Sequence, residues 1–272
     1  MSFPTIENGC NPEVAVYRVD TTKQFPIGTK MVLEDGRTYR YCSAGGTCLP
    51  YCGAYKAKKT NTCTTAPTQA TAAAQLAAYG DTLAAGAIGS RYVTVTIDTE
   101  IGHLTTGVLT ADEMKGGFIV VGNGANQYPQ MRRIVSHPAL ATAGGSLTMK
   151  LDGALITAVT AGTTTIEFME NPYSHLVADL VGSAYVSFIG VPACIAADGE
   201  FFWMQTKGPC WITSNSNTCN AAGDRTIVFA SNGSVVSSDD VTVESGLQIA
   251  GYALDMSGSA ESNAPFVMLQ LE

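Results

Sequence analysis

Apolar and polar residues alternate along the middle of the chain. Val93 and Val95 are separated by a threonine, and the same period of two returns at 147–151 and 166–168. This alternation is typical of half-buried β-strands. Short apolar runs bounded by Gly-rich turns predict further strands, at 118–121 and 134–135. The pattern therefore predicts a β domain over residues 91–172.

A second series of strand patterns continues to the end of the sequence. Strands are predicted where apolar residues cluster between turn residues, at 184–190, 200–207, 226–230, 241–244, 247–254 and 265–271. Strands that recur about every ten to twenty residues, with turns between them, fit a small barrel or sandwich. We therefore expect residues 173–272 to form a second small β-barrel or sandwich, beside a first unit of the same kind.

The first ninety residues have a different texture. Asp35 and Gly36 lie between two β-forming runs, which predicts a hairpin with strands at 30–34 and 37–42. A Cys-rich loop follows, and an Ala-rich run at 66–78 predicts one short helix. Residues 1–90 are therefore expected to be an extended, Cys-rich N-terminal segment that acts as an arm. The predicted fold class of the whole chain is all-β.

Charge is scarce and unevenly distributed. Charged residues make up 14% of the chain, against about 25% in ordinary soluble domains. The net charge is −8, yet residues 1–63 hold eight basic and five acidic side chains, a local +3. Nucleic acid is not expected as a partner, because binding phosphates requires concentrated positive charge. No run of about 18 apolar residues occurs, so no membrane span is expected.

The eight cysteines leave three alternatives open. The first residues lack the basic and apolar parts of a signal peptide, which predicts synthesis in a reducing cytoplasm. Four thiolates could bind zinc, and the residues for that alternative are Cys42, Cys48, Cys52 and Cys63. Disulfides formed outside the cytoplasm could instead staple the loops; the candidates are Cys42, Cys48, Cys52, Cys63, Cys210 and Cys219. Several cysteines could also be small buried hydrophobes.

No catalytic motif occurs in the sequence. The hydrolase elbow, the two-histidine zinc motif and the phosphate-binding loop are all missing. His103, His137 and His175 are far apart along the chain. Asp98 and Glu100 share one strand face, but nothing there fixes the carboxyl separation that glycoside hydrolysis requires. We therefore expect a protein that is not an enzyme and that holds no cofactor.

Three large rings occur in succession at Phe201, Phe202 and Trp203. On a strand, Phe201 and Trp203 share one face and Phe202 takes the other. One face belongs to the core, and the outward face could stack on a sugar or pack on another subunit. Because few charges lie nearby, we expect Phe201 and Trp203 to be subunit contacts.

Three short stretches resemble one known class of proteins. They are DGRTYRY at 35–41, GEFFWMQTKGP at 199–209 and IAGYAL at 249–254, with spaced glycine turns at 222–224 and 233. The first is similar to the hairpin that opens many virion structural proteins of tailed bacteriophages. The others are similar to the C-terminal barrel of the same proteins, with its aromatic-x-Gln-x-x-Gly strand and its Gly-x-Ala-Leu strand.

The resemblance implies a capsid decoration (cement) protein. Such a protein binds the outside of an assembled phage head, commonly as a homotrimer, and performs no chemistry. Its partners would be copies of itself and the major capsid protein, and its location the virion assembled in the host cytoplasm. A component of the tail tube or a tail fibre is the nearest alternative. A carbohydrate-binding β-sandwich protein or hydrolase is the second alternative, using the Phe201 and Trp203 face or the Asp98 and Glu100 pair.

Overall fold

Strands dominate the described part of the chain, which confirms the all-β fold class. The computed structural model describes residues 12–48, 50, 55–57, 83–85, 87–96, 108–123, 130–142, 145–158, 164–177, 187–214, 225–230, 232–238, 248–254 and 265–272. Within these ranges the only helix is a single turn, α1 (Pro12–Ala15). The strands that were predicted at 241–244 and the helix at 66–78 lie outside the described residues.

Seventeen strands are found in these ranges, in the following order along the chain. They are β1 (Val19–Asp20), β2 (Lys30–Val32), β3 (Thr38–Ser43), β4 (Tyr55–Ala57), β5 (Leu83–Ala85), β6 (Tyr92–Thr96), β7 (Phe118–Asn123), β8 (Gln130–Ser136), β9 (Ser146–Leu151), β10 (Thr164–Met169), β11 (Leu176–Val177), β12 (Phe188–Pro192), β13 (Phe201–Trp211), β14 (Thr226–Phe229), β15 (Val235–Ser237), β16 (Ile249–Ala253) and β17 (Phe266–Gln270).

The chain divides into two compact units. The first unit consists of Met1–Lys58 together with Tyr173–Glu272, and the second of Lys59–Pro172. Each unit contains one sheet among the described residues. The first sheet follows the order β11-β4-β12-β13-β17-β16-β14-β15, with β1 and β3 also paired to β13 and β2 paired to β3. The second follows the order β10-β7-β8-β9-β6-β5. Closure into a barrel or sandwich stays a prediction.

The hairpin predicted around Asp35 and Gly36 is present as β2 and β3. Gly36 adopts a positive φ of 85°, and the Asp35 carboxylate accepts the backbone N–H of Arg37 at 3.0 Å. These features close the turn, because glycine adopts positive φ without the steric cost that other residues have. The structure places this hairpin inside the sheet of the first unit, through β3, and not on a separate arm.

Strand β13 is the centre of the first unit. It pairs with β1, β3, β12 and β17 along its eleven residues. The predicted strand ended at 207, before Gly208 and Pro209. Gly208 has a positive φ of 96°, and a Cβ there would lie 3.0 Å from the Cα of Arg37. The glycine thus lets β13 pass close to the hairpin turn and continue to Trp211.

Both faces of the Phe201–Trp203 stretch are covered by the chain itself. Phe202 is fully buried among the cysteines and alanines of one core cluster. Trp203 is only 3% exposed, and its ring lies 5.1 Å from Tyr41 and 5.5 Å from Phe25. Phe201 is half-buried and stacks on Tyr41. The N-terminal residues therefore cover Trp203, which is not exposed as expected, whereas a subunit contact at the half-buried Phe201 stays a prediction.

The second unit has its own core beneath β6 to β9. The alternation predicted at 147–151 is observed, since Leu147, Met149 and Leu151 are buried while the residues between them are exposed. A turn at 111–116 is held to this core by His137. The His137 Nε2 accepts the backbone N–H of Met114 at 2.9 Å. Its Nδ1 lies 2.8 Å from the carbonyl oxygen of Pro138 and therefore carries the proton.

Candidate functional site

The described cysteines are buried free thiols. Burial raises the pKa of Cys48 and of Cys210 to about 12 and that of Cys194 to about 11, and it also raises the pKa of Cys42 well above its usual value. Because the thiolate is the reactive form, these residues are inert. Cys42, Cys48 and Cys194 pack in one cluster with Phe202. They match the alternative of small buried hydrophobes.

The other cysteine alternatives fall mainly outside the described residues. Cys52, Cys63 and Cys219 all lie there, so neither the four-cysteine zinc set nor the pairing of Cys210 with Cys219 is described. Among the residues that are described, no three His, Cys, Asp or Glu side chains gather as a metal site would require.

Of the residues considered as catalytic candidates, the structure describes His137 and His175. Asp98, Glu100 and His103 lie outside the described residues. His137 is buried and makes the two hydrogen bonds given above. His175 belongs to the first unit, where its backbone N–H is bonded to the hydroxyl of Ser43 at 2.9 Å. The His137 side chain therefore holds the backbone of the 111–116 turn.

A cleft opens in the first unit beside the β2–β3 turn. It has a volume of about 160 Å³. Its walls come from the N-terminal residues, the hairpin, the end of β12 and the corner where β13 meets β17. We call it the corner cleft, and its lining residues that matter below are Tyr17, Arg37, Tyr39, Gln205, Trp211 and Phe266.

The floor of the corner cleft is a chain of hydrogen bonds. Arg37 Nε donates to the Asp35 carboxylate at 2.5 Å, and Arg37 Nη1 donates to the hydroxyl of Tyr39 at 3.3 Å. The Tyr39 hydroxyl donates to Gln205 Oε1 at 3.3 Å. The Gln205 amide group donates to the carbonyl oxygens of Lys207 and Pro209. The polar side chains are therefore held in fixed positions.

The electrostatics of the floor keep its phenol neutral and its carboxylate charged. Burial raises the pKa of Tyr39 to about 12. At Asp35 desolvation opposes ionisation, but the hydrogen bonds from Arg37 outweigh it and lower the pKa of the carboxyl. Arg37 and Asp35 consequently form a charged pair whose net charge is zero.

The rim of the corner cleft is aromatic and half-exposed. Tyr17 and Phe266 are each 51% exposed, and Trp211 is 43% exposed. Trp211 and Phe266 face each other across β13 and β17, so their side chains lie on the same face of the sheet. Sequence reasoning missed this pair because the predicted strand stopped before Trp211. Residues 207, 209 and 211 are all exposed. Continuing the strand alternation beyond Pro209 would therefore have placed Trp211 on the outward face.

An exposed apolar surface lies next to the cleft on β16 and β17. Ile249, Tyr252 and Leu254 are 43–60% exposed. Tyr252 is opposite Met268 on β17, and Leu254 follows β16 with its N–H bonded to the carbonyl oxygen of Phe266 at 2.8 Å. We call these four side chains the β16 surface: Ile249, Tyr252, Leu254 and Met268.

A second polar group joins the end of the sequence to the hairpin. Glu272 accepts from Arg40 Nε at 2.6 Å, from Lys30 Nζ at 3.0 Å and from the Thr206 hydroxyl at 2.9 Å. Burial alone would raise the pKa of this carboxyl, but the hydrogen bonds from these three partners outweigh it, and the pKa falls to about 2. The arrangement is structural, because it ties β2, β3 and β13 together.

Comparison of the chain with protein-family models, with curated proteins and with solved structures found no match. No helix in the described part of the chain is long and apolar enough to cross a membrane. The corner cleft and the β16 surface are the two candidate sites of the first unit.

Proposed function

We propose that this chain is a virion structural protein of a tailed bacteriophage, a capsid decoration protein that works as a homotrimer on the outside of the head. The proposal rests on the resemblance of the 35–41, 199–209 and 249–254 stretches to such proteins. Its partners are copies of itself and the major capsid protein, and it carries out no reaction and needs no cofactor.

The β16 surface is the observation that supports self-association. Ile249, Tyr252 and Leu254 are exposed there beside the partly buried Met268, and none of the four is charged. This composition is typical of the centre of a protein–protein interface, where charged residues are depleted. Contiguous apolar patches of several hundred Å² on a protein surface commonly mark interaction sites.

The charges around the β16 surface favour a second copy as its occupant. Exposed Lys207 lies on the neighbouring strand β13, and exposed Arg225 lies just before β14. The chain as a whole carries a net charge of −8. A basic rim is complementary to the acidic surface of another copy. A contact between two different patches of identical chains gives a ring, such as a trimer, when the rotation between neighbouring copies closes.

The structure changes how attachment to the head is expected to work. Residues 1–63 cannot be removed as a dispensable arm, because β3 pairs with β13 over six residues of that strand. We therefore assign attachment to exposed surfaces of the folded units and expect deletion of the hairpin to unfold the first unit.

Immunogold labelling of phage particles from the source of the sequence tests the proposal. Regular label over the heads is the expected result. Label confined to tails would support the tail-tube or tail-fibre alternative instead. Particles that carry no label, while the antibody detects the protein in the same lysate, would refute a virion role.

A further inference from the structure

The corner cleft has the size of one six-membered ring. Its volume is about 160 Å³, close to the ~150 Å³ cavity that accepts a benzene molecule in an engineered protein core. A cleft of this size takes a single ring or a single side chain. It is too small for an extended peptide, whose recognition needs a groove along several residues.

The aromatic rim supplies stacking surfaces on more than one side. Tyr17 comes from the turn after α1, while Trp211 and Phe266 come from the facing ends of β13 and β17. The faces of aromatic rings carry partial negative charge and attract groups with a slight positive charge. The C–H groups on one face of a pyranose ring are such groups. All three rings are half-exposed, so a ligand can reach them.

The floor supplies fixed groups that match hydroxyls. A hydroxyl both donates and accepts hydrogen bonds. Among the lining residues, Arg37, Tyr39 and Gln205 supply a guanidinium, a phenol oxygen and an amide oxygen in one connected chain, which Asp35 holds from outside the cleft. The Gln205 side chain is nearly buried, and its amide group is oriented by two backbone carbonyls. Because these groups are already held in place, binding orders few side chains.

The charge of the floor selects a neutral ligand. The charge of the Arg37 guanidinium is balanced by the Asp35 carboxylate at 2.5 Å, so the cleft holds no unmatched cation that would favour an anionic ligand. We propose that the corner cleft is a binding site for one neutral pyranose ring of a glycan. This site is distinct from the Phe201 and Trp203 face, which the chain covers, and it does not depend on the proposed virion role.

The two tryptophans of the chain make the site directly measurable. Trp203 is buried and Trp211 lies at the cleft, so a ligand in the cleft changes the emission of Trp211. The probes are the methyl pyranosides of glucose, galactose, mannose and N-acetylglucosamine. Titration of the full chain is followed by tryptophan fluorescence and, independently, by saturation-transfer NMR of the sugar.

We expect saturable binding of at least one pyranoside. Trp211→Ala and Tyr17→Ala should each weaken binding about ten-fold, the scale of a lost aromatic contact, as read by NMR. Tyr92→Ala removes an equally exposed tyrosine from the second unit and should leave binding unchanged. If circular dichroism shows that Trp211→Ala has not folded, the comparison with the wild-type chain relies on Tyr17→Ala.

Three results would overturn the proposal. One is the absence of saturable binding of every pyranoside. Another is equal affinity of the wild-type chain and both cleft variants, which would place the sugar elsewhere. The third is a response of Trp211 to a proline-rich hexapeptide with none to the sugars, which would make the cleft a peptide site.

Discussion

Neutralising Glu272 is predicted to weaken the first unit in a way that depends on pH. The carboxylate is bonded to Arg40, Lys30 and Thr206, and its side chain is only 16% exposed. Glu272→Gln keeps the shape of the side chain but removes its charge. The change isolates the electrostatic contribution of the network.

The expected loss of unfolding free energy follows from the pKa of Glu272. Although burial opposes ionisation, the hydrogen bonds lower the pKa from 4.5 to about 2. At about 1.4 kcal/mol per pKa unit this would be about 3 kcal/mol of stability. Arg40 and Lys30 are 23% and 38% exposed, so screening by solvent reduces the contribution to about 1–2 kcal/mol.

The pH dependence of this stabilisation follows from the direction of the pKa shift of Glu272. The folded-state pKa lies below the unfolded value of 4.5, so the stabilisation is complete above about pH 4.5 and is lost as the pH falls toward 2. Urea unfolding followed by tryptophan emission measures it, because Trp203 and Trp211 both lie in the first unit. At pH 7 the Gln variant should lose about 1–2 kcal/mol of unfolding free energy, and the loss should shrink with acidification.

Exposed Glu34 provides the matched control, since Glu34→Gln removes the same charge from a turn. It should change the unfolding free energy by less than about 0.5 kcal/mol. The reasoning fails if the two variants are equally stable at pH 7. It also fails if the deficit of Glu272→Gln is as large at pH 3 as at pH 7.

Three further predictions concern buried groups. Replacing His137 with Ala should lower the unfolding free energy of the second unit by about 1–3 kcal/mol, because the Met114 N–H loses its acceptor. Faster hydrogen exchange of the Met114 amide would show this loss, and unchanged protection of that amide would contradict it. Gly251→Ala should prevent folding of the first unit, since a Cβ would lie 1.9 Å from the Met268 carbonyl oxygen. Gly36 has open space around it, so Gly36→Ala should cost only about 1–2 kcal/mol of unfolding free energy. Equal melting temperatures of the two variants would refute this distinction. Four buried thiols should react with iodoacetamide only after denaturation, as mapped by peptide mass spectrometry, and rapid labelling of the native protein would disprove their burial. They are Cys42, Cys48, Cys194 and Cys210.

Local features were predictable from the sequence because their causes are local. The hairpin at 30–42 depends on Asp35 and Gly36 and on the residues beside them, and the observed strands β2 and β3 fall within one residue of most predicted ends. The same holds for β9, where alternation alone separates the buried from the exposed side. Each of these elements needs information from fewer than about fifteen neighbouring residues.

Long-range pairing could not be predicted in this way. The first unit brings β3 against β13, although Tyr41 and Trp203 are more than 160 positions apart in the sequence. Nothing local in the Phe201–Trp203 stretch indicates that Phe25 and Tyr41 cover it. Trp211 was missed for the same reason. Gly208 and Pro209 indicate the end of a strand, and only the position of Arg37 beside Gly208 explains why β13 continues past them.

The mass of the purified chain in solution decides whether the β16 surface contacts another copy. Size-exclusion chromatography with light scattering should give about 85 kDa, three times the 28.4 kDa chain. The double variant Tyr252→Ser and Leu254→Ser should give the mass of one chain with the fold retained. A wild-type mass of 28.4 kDa at every concentration tested, or a double variant that still assembles, would contradict the account.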